Sequence, residues 1–85
     1  MKDRRVGRFS LSRHLIDECP DQVRAALRDV IVIRAEYMGY RDAVEYDAIH
    51  PSFAATPDGS RPQEYLPEIT VKGDGTVQFV KWKPI

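Results

Sequence analysis

Cys19 is the residue whose chemistry comes first to mind. It precedes Pro20 at the start of a helical pattern, and a helix N-terminus lowers a thiol pKa. A nucleophile also needs a base and donors for the developing oxyanion. His14 lies earlier in the same segment and would have to fold back to act as that base. His14 and His50 occupy different segments, neither with a histidine or cysteine at metal-ligand spacing, so both read as surface or packing residues. Asp17, Glu18 and Asp21 suit a helix start, where the dipole favours negative charge. Glu36, Glu45 and Asp47 could gather on one sheet face. Paired carboxylates do acid–base work when a cleft encloses them, whereas this face is expected to be open. Gly73-Asp74-Gly75 is too short for a phosphate loop and falls between strands. These residues argue against an enzyme: no catalytic residue, no cofactor and no metal site is expected.

Binding is the better-supported class. The chain has 13 Lys plus Arg and 13 Asp plus Glu, a formal net charge of zero, which argues against a nucleic-acid binder working by overall charge. The distribution is uneven. Residues 1–13 carry +4, residues 14–68 carry −6 and residues 69–85 carry +2. Arg4, Arg5, Arg8 and Arg13, with Phe9 among them, form a candidate nucleic-acid arm. Trp82, Leu66 and Met38, surrounded by Glu36, Glu45 and Asp47, form a candidate protein-contact patch. Trp and Met in a charged surround are typical interface anchors.

The elements that must position these residues follow from pattern. Residues 1–9 are charged and aperiodic, which predicts a flexible basic leader. A short helical turn capped by Ser10 or Ser12 follows, with Leu11, Leu15 and Ile16 on its apolar side. Pro20 then opens a second helix striped by Val23, Ala26, Leu27 and Val30. The β-branched run Val30-Ile31-Val32-Ile33 turns the chain to strand over about 30–38, against the competing reading of one helix over 20–48. A turn centred on Tyr40-Arg41 sets Ile33 opposite Ala48, Ala35 opposite Tyr46 and Tyr37 opposite Val44 on one apolar face. On the other face Arg34 meets Asp47, and Glu36 meets Glu45 as a like-charge pair.

Residues 50–63 hold Pro51, Pro57, Gly59 and Pro62 and read as a long loop. A three-residue turn over Gly73-Asp74-Gly75 then sets Val71 opposite Val77, Ile69 opposite Phe79 and Leu66 opposite Trp82. The fold class expected is α+β: one or two N-terminal helices packed on a four-stranded, mainly antiparallel sheet, as a single domain over 1–85. Its predicted core is Leu15, Val23, Leu27, Ile31, Ile33, Tyr37, Val44, Tyr46, Ile69, Val71, Val77 and Phe79. So small a core barely offsets the ordering entropy of the chain, and a homodimer would add to it.

No apolar run is long enough for a membrane span, and no signal peptide is read at the N-terminus. One cysteine excludes an internal disulfide, in keeping with a cytoplasmic protein.

Residues 34–65 carry a further pattern. Arg34-Ala-Glu-Tyr-Met38, Tyr46-Asp-Ala-Ile-His-Pro-Ser-Phe53, Pro57-Asp-Gly59 and Pro62-Gln-Glu-Tyr65 together resemble small uncharacterised phage and prophage proteins. The resemblance implies a mobile-element accessory protein acting in the cytoplasm of a host cell. Such proteins include anti-CRISPR and other anti-defence inhibitors, which bind a host protein or protein complex and block a surface. It brings no catalytic residues. A small nucleic-acid-associated regulator and a phage structural or assembly component are the alternative readings.

Overall fold

The computed structural model describes residues 5–57 and 59–85. The chain runs β1 (Val6–Ser12), α1 (Arg13–Glu18), α2 (Pro20–Arg28), β2 (Ile31–Met38), β3 (Ala43–Ile49), β4 (Gln63–Val71) and β5 (Val77–Pro84). The strands form one sheet in the order β2-β3-β1-β4-β5. The class is α+β as expected, but with five strands rather than four, and with the helices after the first strand rather than N-terminal. The sheet is mixed: β1 lies antiparallel to β3 and parallel to β4.

The main correction concerns the basic leader expected over residues 1–9. Residues 1–4, Arg4 included, lie outside the described residues. From Val6 onward the segment is the middle strand of the sheet. Its side chains alternate: Gly7, Phe9 and Leu11 face the helices, while Arg8, Ser10 and Ser12 face away. The period-two signal was present in the sequence, but one glycine and the surrounding charge obscured it. Gly7 is required by packing, since a Cβ there would stand 2.6 Å from Phe53 Cδ2 and 2.8 Å from Tyr65 Cδ1.

The helices form where their end signals predict. The Ser12 hydroxyl accepts a hydrogen bond from the Leu15 N–H at 3.1 Å and so caps α1. Pro20 stands in the first turn of α2 and Arg28 in the last. Both helices lie on one side of the sheet. There Val23 and Ala26 bury against Phe9, Leu11, Tyr46, Ala48, Phe53, Tyr65 and Trp82. Aromatic rings dominate this layer: Phe9 packs on Tyr46 and Trp82 at centroid distances of 5.2 and 4.7 Å, and Phe53 stacks on Tyr65 at 4.4 Å.

Two β-bulges decide which side chains reach this core. In the first hairpin the expected register holds from Arg34↔Asp47 to Tyr37↔Val44. A bulge between Val32 and Arg34 then sets Val32, not Ile33, opposite Ala48. The predicted core residues Ile31 and Ile33, beyond or at the bulge, are 66% and 48% exposed, and Tyr37, in its expected register, is 54% exposed on the edge strand. In the second hairpin Val71 does face Val77, but a bulge between Thr70 and Val71 moves the rest of the ladder by one residue. Ile69 therefore faces Val80, Pro67 faces Trp82 and Leu66 faces Lys83. A one-residue slip exchanges the faces of a strand. Trp82 therefore enters the core and Phe79, expected inside, stays exposed; Val71, also expected inside, keeps its pairing with Val77 and is exposed at the end of β4. Among the described residues, no helix is long and apolar enough to cross a membrane.

Candidate interaction surface

The helices cover one face of the sheet and leave the other open. On the open face β2, β3 and β1 carry a chain of ion pairs built by their register, with Arg34 opposite Asp47, Asp47 opposite Arg8 and Glu36 opposite Glu45. Each guanidinium nitrogen of Arg34 serves a different carboxylate: Nε donates to Asp47 Oδ2 at 2.8 Å, Nη1 to Glu36 Oε1 at 2.7 Å and Nη2 to Glu45 Oε1 at 2.6 Å. Arg8 approaches Asp47 from the other strand with two bonds, Nε to Oδ1 at 2.8 Å and Nη2 to Oδ2 at 3.3 Å. The predicted Glu36–Glu45 repulsion is thus bridged by a cation held between the two. Burial works to raise the Asp47 pKa, but the bonds from Arg8 and Arg34 outweigh it and hold the carboxyl below its ordinary value. The same bonds raise Arg8 and Arg34 above an ordinary guanidinium.

The ion-pair face continues toward β4 but its backbone ladder nearly stops. β1 and β4 pair at only two positions, Gly7↔Gln63 and Arg8↔Glu64, and then diverge. The fork leaves a groove of about 170 Å³ lined by Arg8, Ser10, Arg41, Glu45, Glu64 and Leu66 among others. Of the residues nominated for protein contact, Glu36, Glu45, Asp47, Met38 and Leu66 therefore belong to the open face. Trp82 does not. It is 9% exposed on the helix side, and its Nε1 donates to Asp29 Oδ2 at 2.7 Å. Leu66 and Trp82 are not cross-strand neighbours as expected, because the bulge sets Leu66 opposite Lys83 and Trp82 opposite Pro67.

Of the candidate nucleic-acid arm, Arg4 lies outside the described residues, and Arg5, Arg8 and Arg13 are held just before β1, within it and at the start of α1. Arg8 is committed to Asp47 and lies within 3.8 Å of Glu45. Arg5 donates through Nη1 to the Phe53 carbonyl at 2.8 Å. Arg13 opens α1, with Asp17 at 3.6 Å and Asp42 at 3.9 Å. Strand geometry distributes these side chains over different parts of the molecule, and acids or carbonyls meet each of them.

One constellation escaped the sequence reading because its members are far apart in the chain. His50 Nε2 lies 3.0 Å from Asp29 Oδ2, the oxygen that also accepts from Trp82. The Ser52 hydroxyl lies 2.7 Å from His50 Nδ1, and the Ser52 backbone N–H donates to that nitrogen at 3.1 Å. Nδ1 is therefore the acceptor and Nε2 carries the proton toward Asp29. Serine, histidine and aspartate stand in the order of a nucleophilic relay. The Ser52 N–H, which in acyl transfer would face the oxyanion, is instead turned onto Nδ1. The geometry suits a clamp that fixes the turn after β3 to the end of α2 and to β5. Among the described residues, no three His, Cys, Asp or Glu side chains group as a metal ion would require.

The sheet has two free edges, β2 and β5. The β2 edge presents Ile31, Val32, Ile33 and Tyr37 to solvent, interspersed with Arg34 and Glu36. No family model, no curated protein and no solved structure matches this chain.

Proposed function

We propose that this chain is a non-enzymatic protein-binding module, encoded by a phage or prophage, that inhibits a host complex by covering part of its surface. The observation that supports it is the open sheet face. Three strands hold Arg8, Arg34, Glu36, Glu45 and Asp47 in fixed ion pairs, and Met38 and Leu66 add apolar surface beside them. Charged side chains already fixed in one geometry lose less rotamer freedom on docking than free ones. Their alternation of sign selects the register of a complementary partner. The acidic stretch 14–68 suits a basic partner surface of the kind that ordinarily holds nucleic acid, and the resemblance to phage accessory proteins supplies the biological setting, a host cytoplasm.

The test uses residues on the β4 part of this face, away from the β2 edge. The immobilised chain should retain one stoichiometric protein from a bacterial host lysate, and Leu66→Asp with Glu68→Lys should abolish retention while the fold survives. Arg24→Glu, on an exposed position of α2, should leave it intact. Retention of nucleic acid alone, removed by salt, would replace this reading with the regulator reading. Retention indifferent to Leu66 and Glu68 would show that another surface binds.

A further inference from the structure

A second surface of the molecule points to a second partner. A free strand edge exposes unpaired backbone N–H and C=O groups and recruits other strands, and proteins that stay monomeric blunt it with charge, proline, a β-bulge or a covering element. The β2 edge has neither lysine nor proline across Ile31–Met38, its bulge lies at Ile33 and leaves Arg34–Met38 regular, and its charges, Arg34 and Glu36, are of opposite sign. It exposes Ile31, Val32, Ile33 and Tyr37, which are 66%, 39%, 48% and 54% accessible. We infer that this edge pairs antiparallel with β2 of a second copy of this chain, about a two-fold axis at Ala35. The proposal goes beyond the target-binding reading: it uses the free strand edge, and shares only Arg34, Glu36 and Met38 with the open face.

The charges choose the register. A two-fold antiparallel pair keeps residues of like parity opposite one another, so the axis passes through one residue. With the axis at Arg34, two arginines face each other. With the axis at Glu36, two glutamates do. With the axis at Ala35, Arg34 faces the partner's Glu36 and Glu36 faces the partner's Arg34, with two alanines between. These four side chains then form a ring of alternating sign on the open face, drawing on the Nη1 of Arg34 that already contacts its own Glu36 at 2.7 Å. Beyond the ring the regular ladder ends at the bulge, which adds Ile33 and returns Val32 to the helix side opposite Ala48, the side that Tyr37 also occupies opposite Val44, so Val32 lies toward the partner's Tyr37. Because the axis is perpendicular to the sheet, both open faces point the same way. The dimer is a ten-stranded sheet with two copies of the docking face side by side, suited to a repetitive or two-fold target through avidity.

Sedimentation equilibrium and disulfide trapping test this. The unmodified chain should weigh twice the 9.7 kDa of one copy. In a Cys19→Ser background, Ala35→Cys places a cysteine opposite its own copy, within the Cα separation of about 4.4–6.8 Å that a disulfide spans. Mild oxidation should give a covalent dimer. Tyr37→Cys in the same background is offset from its counterpart by four residues, about 14 Å along the strand at ~3.4 Å per residue, and should not cross-link. Glu36→Arg should raise the dissociation constant about tenfold or more by setting arginines against arginines.

A 9.7 kDa species at every concentration overturns the proposal, as does a dimer trapped at position 37 but not 35. Because Leu66→Asp and Glu68→Lys lie outside this interface, loss of target binding with the dimer intact, or the reverse, shows which of the two readings has failed.

Discussion

The two edges of this sheet are finished in opposite ways. On β5 the outermost strand carries Lys81, Lys83 and Pro84. It is also held from within, because Trp82 packs on Phe9 and Phe53 and its indole N–H reaches Asp29 at the end of α2. On β2 the exposed side chains are mostly aliphatic or aromatic, and a bulge at Ile33 is the one feature of the strand that discourages pairing. Lysine and proline on β5 make the addition of another strand costly, since a charge must be desolvated or a ladder bond omitted. Between Arg34 and Met38, β2 has no proline, and its two charges, Arg34 and Glu36, are of opposite sign. The contrast indicates that the β5 edge closes the domain and the β2 edge continues it.

The strongest way to break that contrast is to loosen the closed edge. Trp82→Ala should cost about 3–5 kcal/mol of folding free energy, the usual range for a core tryptophan, as read by chemical denaturation. A loss below about 1 kcal/mol would mean that β5 is not held through Trp82. The ion-pair face beside β2 comes next. Asp47→Asn removes the charge and one of the two oxygens that accept from Arg8 and Arg34 and should cost about 2 kcal/mol, in line with hydrogen bonds to charged groups.

The pH dependence sharpens the same point. The folded Asp47 pKa lies below the unfolded value of about 3.9. Its contribution is therefore fully present above that value and is lost as pH falls through the folded-state pKa. The native chain should lose stability across that acid window, and Asp47→Asn should lose less over the same interval. Equal losses would assign the acid sensitivity to other carboxylates.

Smaller effects separate edge from fold. Ile33→Lys should change folding stability by no more than about 0.5 kcal/mol, as for exposed positions generally, yet abolish self-association. Lys81→Val should be equally mild for folding and should promote self-association through β5. If it does not, the tether through Trp82, not the lysines, is what closes that edge.

Much of the fold was legible in local pattern. The serine cap, Pro20 at a helix start, the turn before Ala43 and the Gly73-Asp74-Gly75 turn all lie where their side chains require. Arg34 faces Asp47 because alternation on two adjacent strands leaves little freedom once the turn is set. The candidate face was legible to the same extent, with Glu36, Glu45, Asp47, Met38 and Leu66 on the open side. Trp82 was misplaced because a bulge adds one residue to one strand without a strong local signature, and every side chain beyond it changes face. Ile33 was assigned to the core for the same reason.

What the sequence determined by itself is what neighbours in the chain can enforce: helix starts, turns, the α+β class and the alternation of each strand. The tertiary structure alone decided that Val6–Ser12 is the middle strand, since its partners, Ala43–Ile49 and Gln63–Glu64, lie far from it in the chain. It also decided that Asp29, His50, Ser52 and Trp82 meet, and that β2 is left at an edge. Strand order is set by which combination of pairings buries the aromatic layer beneath α2. That burial is a property of the assembled sheet, and no single segment carries it.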